Sequence, residues 1–343
     1  MSVTATTTYT DLFSHDEVIL DTLQAEFTTN MNALSSGAIQ VIPDSMAGNT
    51  DGYNLAAPMW DELDYTGASQ ISATADAPAI SVQGELTTIA PYSAYEQRWG
   101  ADYLARAFAS KDNLMEIVRQ IAMWAANMVT YHASRSTQGA FATALASTHE
   151  ISAAASITAE QALLAKRRLG DKQDMLSIAL MHGYVASDAA RNGLFTYGNS
   201  PLAPDLFYGG NVPKFVGSTV FQSDQFCYSV SDLYPTYFAA PGAIIAHTKE
   251  VSKPAESAGF INNLNAGNVK VQVEQSRTQD RGGTDSITAR ISVASAVQGL
   301  AWQSGGGVNP AISSLATGSN WAKVSGWADK NIKIVRVTSG LAA

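Results

Sequence analysis

The chain has 343 residues, of which 46% are hydrophobic and only 15% charged, with a formal net charge of −9. That length is enough for two domains or for one domain with large excursions, while a charge content well below the roughly 25% of ordinary soluble domains fits a surface largely covered by other protein. The charge is also split: residues 1–97 hold thirteen acids and no Lys or Arg, leaving 21 basic against 17 acidic residues in the remainder, which argues against a basic groove for nucleic acid and for attraction between copies of the chain.

The N-terminal stretch MSVTATTTYTDLFSHDEV has neither a basic start nor an apolar run, so no export signal is read there. Leu20, Leu23, Phe27, Met31 and Leu34 follow Ser14 and Asp16 at helical spacing, which predicts an amphipathic helix over 16–34. AIQVIPD, residues 38–44, alternates as a short strand stopped at Pro43. From Asp44 to Tyr95 the pattern is thin and extended, punctuated by Gly48, Gly52, Pro58, Gly67, Pro78 and Gly84. With so few apolar residues this excursion cannot form its own core and needs another surface to lie on.

WGADYLARAFA, 99–109, reads as a short helix leading into the longest periodic segment of the chain. In that segment, 112–133, Leu114, Ile117, Val118, Ile121, Ala125, Met128 and Val129 share one helical stripe, with a continuation expected past Gly139. Thr158 and Gln161 form a capping box for a helix ending near Gly170. The run Leu176 to Met181 reads as buried, and the helix after it stops at Asn192-Gly193. VGSTVF and AAPGAIIAH read as strands separated by SDQFCYSVSDLYP. NVKVQVEQSRT and DSITARISVASA alternate with period two, so Asp280-Arg281-Gly282-Gly283 reads as a hairpin tip, and KNIKIVRV reads as a final strand.

Catalytic patterns are missing from the sequence: there is no phosphate loop, no Gly-x-Ser-x-Gly, no His-Glu-x-x-His, no calcium loop and no Cys-x-x-Cys. The five histidines are scattered, and His132 on the long helix reads as structural. The acids Asp61, Glu62 and Asp64 sit in the extended excursion, where a rigid active site is not expected; Asp171 and Asp174 read as helix caps. Cys227 is the lone cysteine, with no basic neighbour in sequence to activate it, so no disulfide, nucleophile, metal site or cofactor site is expected. No apolar stretch reaches the roughly 18 residues of a membrane span, and assembly in the cytoplasm is the expected setting.

The order of these segments resembles a tailed-bacteriophage major capsid protein of the Hong Kong 97-type fold. The likeness is carried by AIQVIPD, by TTIAPYSAYEQRWGADYLARAFASKDNLMEIVRQIAMWAANMV, by LGDKQDMLSIALMHGYVASDAARNGLF, by FVGSTVFQSD with YFAAPGAIIAH, and by VEQSRTQDRGGTDSITAR with SNWAKVSGW. The resemblance implies an α+β subunit with an N-terminal arm (1–43), an extended β loop (44–97), a peripheral domain with the long spine helix (98–154), an axial domain (155–262), and a return to the peripheral domain with a C-terminal segment (263–343). It implies self-assembly into hexamers and pentamers of an icosahedral head, a virion component that encloses double-stranded DNA without gripping it. Implied partners are a separate scaffolding protein, a portal and a decoration protein, with no membrane. Expected assembly contacts are Trp60, Asp61, Glu62 and Asp64 on the loop, the tip Gln279, Asp280, Arg281, Gly282 and Gly283, and Phe226 and Tyr228 toward the capsomer axis. Some members cross-link through a loop lysine; here 44–97 contains none and the first lysine is Lys111, so a non-covalent shell is expected. An encapsulin-like cargo shell and a surface-layer or binding protein are the alternatives.

Overall fold

A computed structural model describes residues 36–47, 53–60, 85–102, 113–152, 156–198, 212–229, 232–249, 251, 260–266, 268–277, 284–303 and 307–340. The expected arm helix at 16–34, the loop acids Asp61, Glu62 and Asp64, and the hairpin tip 279–283 lie outside these residues.

β1 (Ile39–Val41) is followed by the excursion strands β2 (Asn54–Trp60) and β3 (Glu85–Asp102), paired antiparallel from Asn54↔Pro91 to Trp60↔Glu85. The spine α1 (Asn113–Ala142) is 30 residues long, about 45 Å at 1.5 Å per residue, and it continues through Gly139 as the sequence implies. A single turn, α2 (Ala146–His149), leads to β4 (Glu150–Ser152), then α3 (Ala159–Arg167), β5 (Ile178–Met181) and α4 (Gly183–Arg191). β6 (Thr196–Gly198), β7 (Val212–Phe215), β8 (Ser218–Gln222), β9 (Tyr234–Ala239), β10 (Ile244–Lys249), β11 (Phe260–Ala266), β12 (Val269–Arg277) and β13 (Thr284–Val297) come next. β14 (Leu300–Trp302), α5 (Ile312–Leu315), β15 (Trp321–Lys323) and β16 (Ile334–Ser339) close the chain.

Nine of the described strands make one sheet, with β1-β10-β13-β3-β14-β15 as its path and β2, β11 and β12 attached; seven make the other, in the order β4-β16-β9-β5-β8-β7-β6. In the second sheet the period-two rule is visible on both faces. Ile178, Leu180, Tyr237, Ala239 and Ile334 join the core built around α1, whereas Ala179, Met181, Phe238, Val335 and Val337 join a second core under α3 and α4. The capping box at Thr158 and Gln161 is formed, with both reciprocal hydrogen bonds.

Three sequence expectations change. Residues 99–102 continue β3 instead of opening a helix, because their backbone pairs with β13 as far as Thr284↔Asp102. VGSTVF is not one strand: Val216 (φ 49°) and Gly217 (φ 77°) are both left-handed and turn β7 into β8, the backbone a two-residue hairpin requires. AAPGAIIAH is likewise divided at Gly242 (φ 69°), whose N–H donates to the Gly37 carbonyl at 2.8 Å. β9 before that turn lies in the second sheet and β10 after it in the first. β10 and β11 lie in the first sheet, and the C-terminal β16 sits inside the second. β16 has apolar residues on both faces, Ile334 opposite Val335 and Val337, and only an interior strand buries both.

Candidate assembly surfaces

The excursion is fastened at its root by four polar side chains. Asp44 follows β1 where the chain leaves the body, and Tyr92 lies on β3 where it returns. Between them stands His247 of β10, whose Nε2 lies 2.9 Å from Asp44 Oδ1 and whose Nδ1 lies 2.7 Å from the Tyr92 hydroxyl. A carboxylate can only accept here, so Nε2–H donates to Asp44 and Nδ1 accepts from Tyr92. Lys270 of β12 also donates to Asp44. Hydrogen bonds from Lys270 and then His247 hold the Asp44 carboxyl below its usual range. Burial lowers the His247 pKa despite Asp44 and raises that of Tyr92. The clasp thus holds a neutral imidazole and ties departing and returning strands to one point.

Further out, Arg290 of β13 bridges to both neighbouring strands. It stands directly opposite Glu96 on β3 and diagonally across from Glu274 on β12, donating at 3.1 Å and 2.6 Å respectively. Arg290 and Glu274 side chains are only 10% and 9% exposed. A buried pair of this kind adds little net stability, but slipping the register by one residue would strand a charge on the wrong face. The pairing therefore specifies how the hairpin lies on the excursion strand. A comparable bidentate pair, Arg336 to Glu150 at 3.0 and 2.7 Å, fixes β16 to β4.

Among the expected contact residues that are described, Trp60 is 62% exposed at the end of β2 and Tyr228 is 51% exposed. Tyr228 lies under the Arg135 guanidinium, 4.5 Å from its ring centre. Phe226 is a correction: it is 1% exposed and packs edge-on against Tyr237 at 5.3 Å. The loop turns it inward because Ser134 Oγ on α1 donates to the Phe226 carbonyl and Gln225 Nε2 donates to the Asn127 carbonyl, stitching the loop to the spine. A cavity of about 330 Å³ beside it is lined by Gln138, Glu150, Tyr228 and Arg336, among others. Glu150 and Arg336 are already paired there. Cys227 is buried, which pushes its thiol pKa up and keeps it unreactive. Among the described residues no cluster of three His, Cys, Asp or Glu side chains is placed to hold a metal ion. No described helix is long and apolar enough to cross a membrane.

Sequence reading missed the His247 clasp and the Arg290 bridge, because His247 meets Tyr92 and Asp44, and Arg290 meets Glu96, across more than 150 positions of chain, and no local pattern encodes such pairs.

No family model matches the chain, and no curated protein does. Solved structures do. One is in the head of Helicobacter pylori bacteriophage KHP40: 8% identity over 88% of this chain and 87% of that one, with a TM-score of 0.53. Another is in the capsid of Ralstonia phage GP4: 10% identity over 91% and 88%, TM-score 0.51. A third is in the capsid of a native GTA particle: 10% identity over 89% and 90%, TM-score 0.50. At such identities the likeness lies in architecture, along almost the whole of each chain, and by that architecture this chain has the Hong Kong 97-type fold of tailed-phage capsid proteins.

Proposed function

We propose that the chain is the major capsid protein of a tailed bacteriophage, assembling into hexamers and pentamers of an icosahedral head around double-stranded DNA. The observation that carries this reading is the end-to-end structural likeness to chains of phage heads and capsids. The excursion supports it: β2 packs on the body through Leu55, Ala57 and Met59, and Trp60 at its end is 62% exposed, the kind of apolar surface that finishes its packing on another copy. A scaffolding protein, a portal and a decoration protein are partners under the same reading, and the low basic content fits a shell that contains DNA without binding it tightly.

The test is expression of the chain, alone and with the genes beside its own, followed by negative-stain microscopy. Closed shells or capsomers are expected; a persistent monomer under every condition would overturn the proposal. Two further outcomes are expected from the same material. Removing residues 60–80 should leave a folded, soluble body that forms no closed shells, and normal particles from that deletion would show that the loop is dispensable. Purified particles boiled in detergent and reductant should run as one band near the 36.2 kDa of the chain. A nucleophilic amine is what a lysine cross-link needs, and 44–97 supplies none; a ladder of covalent oligomers would contradict this.

A further inference from the structure

The second sheet carries a projecting ring on one side and a cavity on the other. Tyr184, in the first turn of α4, is 62% exposed. It is nevertheless braced: its ring lies 5.0 Å from that of His182 and edge-on to that of Tyr234 at 6.0 Å, and its N–H donates to His182 Nδ1 at 3.2 Å. An exposed ring already held in one place gives up little freedom when a partner closes over it. Tyr234 packs on the core under α3 and α4, so the ring stands on the α4 side of β9.

Side chains alternate along β9. Pro235 and Tyr237 therefore point the other way, and with Leu233 and Tyr228 they line the cavity of about 330 Å³ on the spine side. Exposed Ser152 and Tyr228 mark its mouth. The ions in its wall are closed on each other, since Glu150 accepts from Arg336 and from Thr338 Oγ1. Arg135, near the mouth, lies over the Tyr131 and Tyr228 rings and donates to Gln138 Oε1, and Asp232 is exposed beside Leu233. Around Tyr184 stand Asp224, which accepts from the Gly183 N–H, and the Asp188–Arg191 pair. Charge thus does not choose an occupant; both sides carry mixed signs. What the cavity offers is apolar wall together with the Gln138 amide N–H groups, whose oxygen is already engaged. A phenol answers both, ring to wall and hydroxyl to amide. The volume is at the small end of the roughly 300–1,000 Å³ of ligand pockets, room for one aromatic side chain.

We propose that this cavity receives Tyr184 of the partner subunit, its ring against Leu233, Pro235 and Tyr228 and its hydroxyl accepting from Gln138. Buried tyrosines at the centre of an interface commonly dominate its energy. Because ring and cavity lie on opposite sides of the sheet, a chain cannot fill its own cavity, and two copies related by a two-fold axis cannot fill each other's. Each copy gives its tyrosine to one neighbour and receives another's, a head-to-tail contact that repeats until it closes a ring. The inference rests on the capsid reading for rings of five and six copies, and it names the side chains that join adjacent members.

The test uses the full chain under the conditions of assembly, with Ser187→Cys beside Tyr184 and Ser152→Cys at the cavity mouth, both at exposed positions. Tyr184 stays in place, and Cys227 is buried and silent to a short bis-maleimide. The two single variants should cross-link when mixed, neither should link to itself, and the double variant should give a ladder of oligomers. Adding Tyr184→Ala should lower the yield about tenfold, or ~1.4 kcal/mol; Tyr184→Phe, which keeps the packing on His182 and Tyr234, should lower it less. Ser152→Trp, filling the mouth from the other side, should cut capsomer yield as strongly as Tyr184→Ala does. Circular dichroism checks that each variant is folded. Particles that form with no link between positions 152 and 187, or with Tyr184→Ala yields unchanged, would overturn this inference and leave the capsid reading standing. Self-linking of Ser187→Cys alone would overturn it in favour of a two-fold contact between α4 faces. A chain that stays monomeric under every condition would overturn both.

Discussion

Gly139→Ala is expected to destabilise the protein by about 2 kcal/mol or more, although alanine favours a helix over glycine by about 1 kcal/mol. Gly139 lies in the last three turns of α1, a position where sequence alone marks only a weak point in the helix. A methyl group there would overlap the Leu315 carbonyl and stand 2.7 Å from Trp321 Nε1. Neither neighbour is free to yield. Trp321 is 3% exposed, and its indole N–H donates to that same Leu315 carbonyl at 2.8 Å. Moving the ring gives up this bond, worth about 1 kcal/mol, and moving α5 opens the core around Leu315. Overpacking of a tight core costs about 1–3 kcal/mol, occasionally more, so the steric term outweighs the propensity gain. The same approach is seen from the other side at Gly318, where a methyl would stand 2.9 Å from the Ala142 side chain. Urea unfolding of the folded variant measures the difference; a neutral or stabilising Gly139→Ala would mean that α5 and Trp321 shift without cost.

That glycine marks where sequence reading stops. The spine, the capping box at Thr158, the buried run Leu176 to Met181 and the hairpin strands around 280 were legible because each is encoded by spacing within a few turns or a few strand residues. The assignment of strands to sheets was not. Nothing local in AAPGAIIAH says that the chain changes sheets at Gly242; that follows from β10 pairing with β13, residue Ile244 with Val297, more than fifty positions away. The position of β16 inside the second sheet depends on partners as distant as Ile151. Contact surfaces were legible in part for a related reason. Aromatic residues in loops signal packing without saying on which side, so Tyr228 faces solvent while Phe226, two residues before, fills the core. α3 shows the converse. Its capping and length are plain in the sequence, whereas the outward turn of Leu163 and Leu164 depends on Lys166 being drawn in by the Val216 turn.

Acid should unfold the chain through His132 more than through any exposed group. This residue is 0% exposed on α1, and its hydrogen bonds fix its tautomer. Ser136 Oγ donates to the Ala133 carbonyl, which can only accept. Ser295 must then donate to Ser136 at 2.9 Å, and so it accepts from His132 Nδ1–H at 2.6 Å. Nε2 is left as a bare lone pair with no hydrogen-bond partner among the described residues. Tyr95 lies edge-on at 6.3 Å, its own pKa raised to about 12 by burial, so it offers no charge to a new imidazolium. Burial accordingly drives the His132 pKa down to about 3. Because the folded value lies below the unfolded value near 6.5, the unfolded chain binds more protons between those limits. Stability is full above about pH 6.5 and is lost as pH falls toward 3, by up to ~1.4 kcal/mol per pH unit and on the order of 5 kcal/mol in all. At pH 5 the loss should already be about 2 kcal/mol. His149 and His247, also lowered by burial, act in the same direction, so the decisive comparison is with His132→Gln, which cannot titrate. That variant should be less stable at pH 7 but should lose less stability on acidification, the difference in slope approaching one proton between pH 4 and 6. Parallel curves for the two proteins, measured by urea unfolding across that range, would show that His132 takes up its proton in the folded state without penalty.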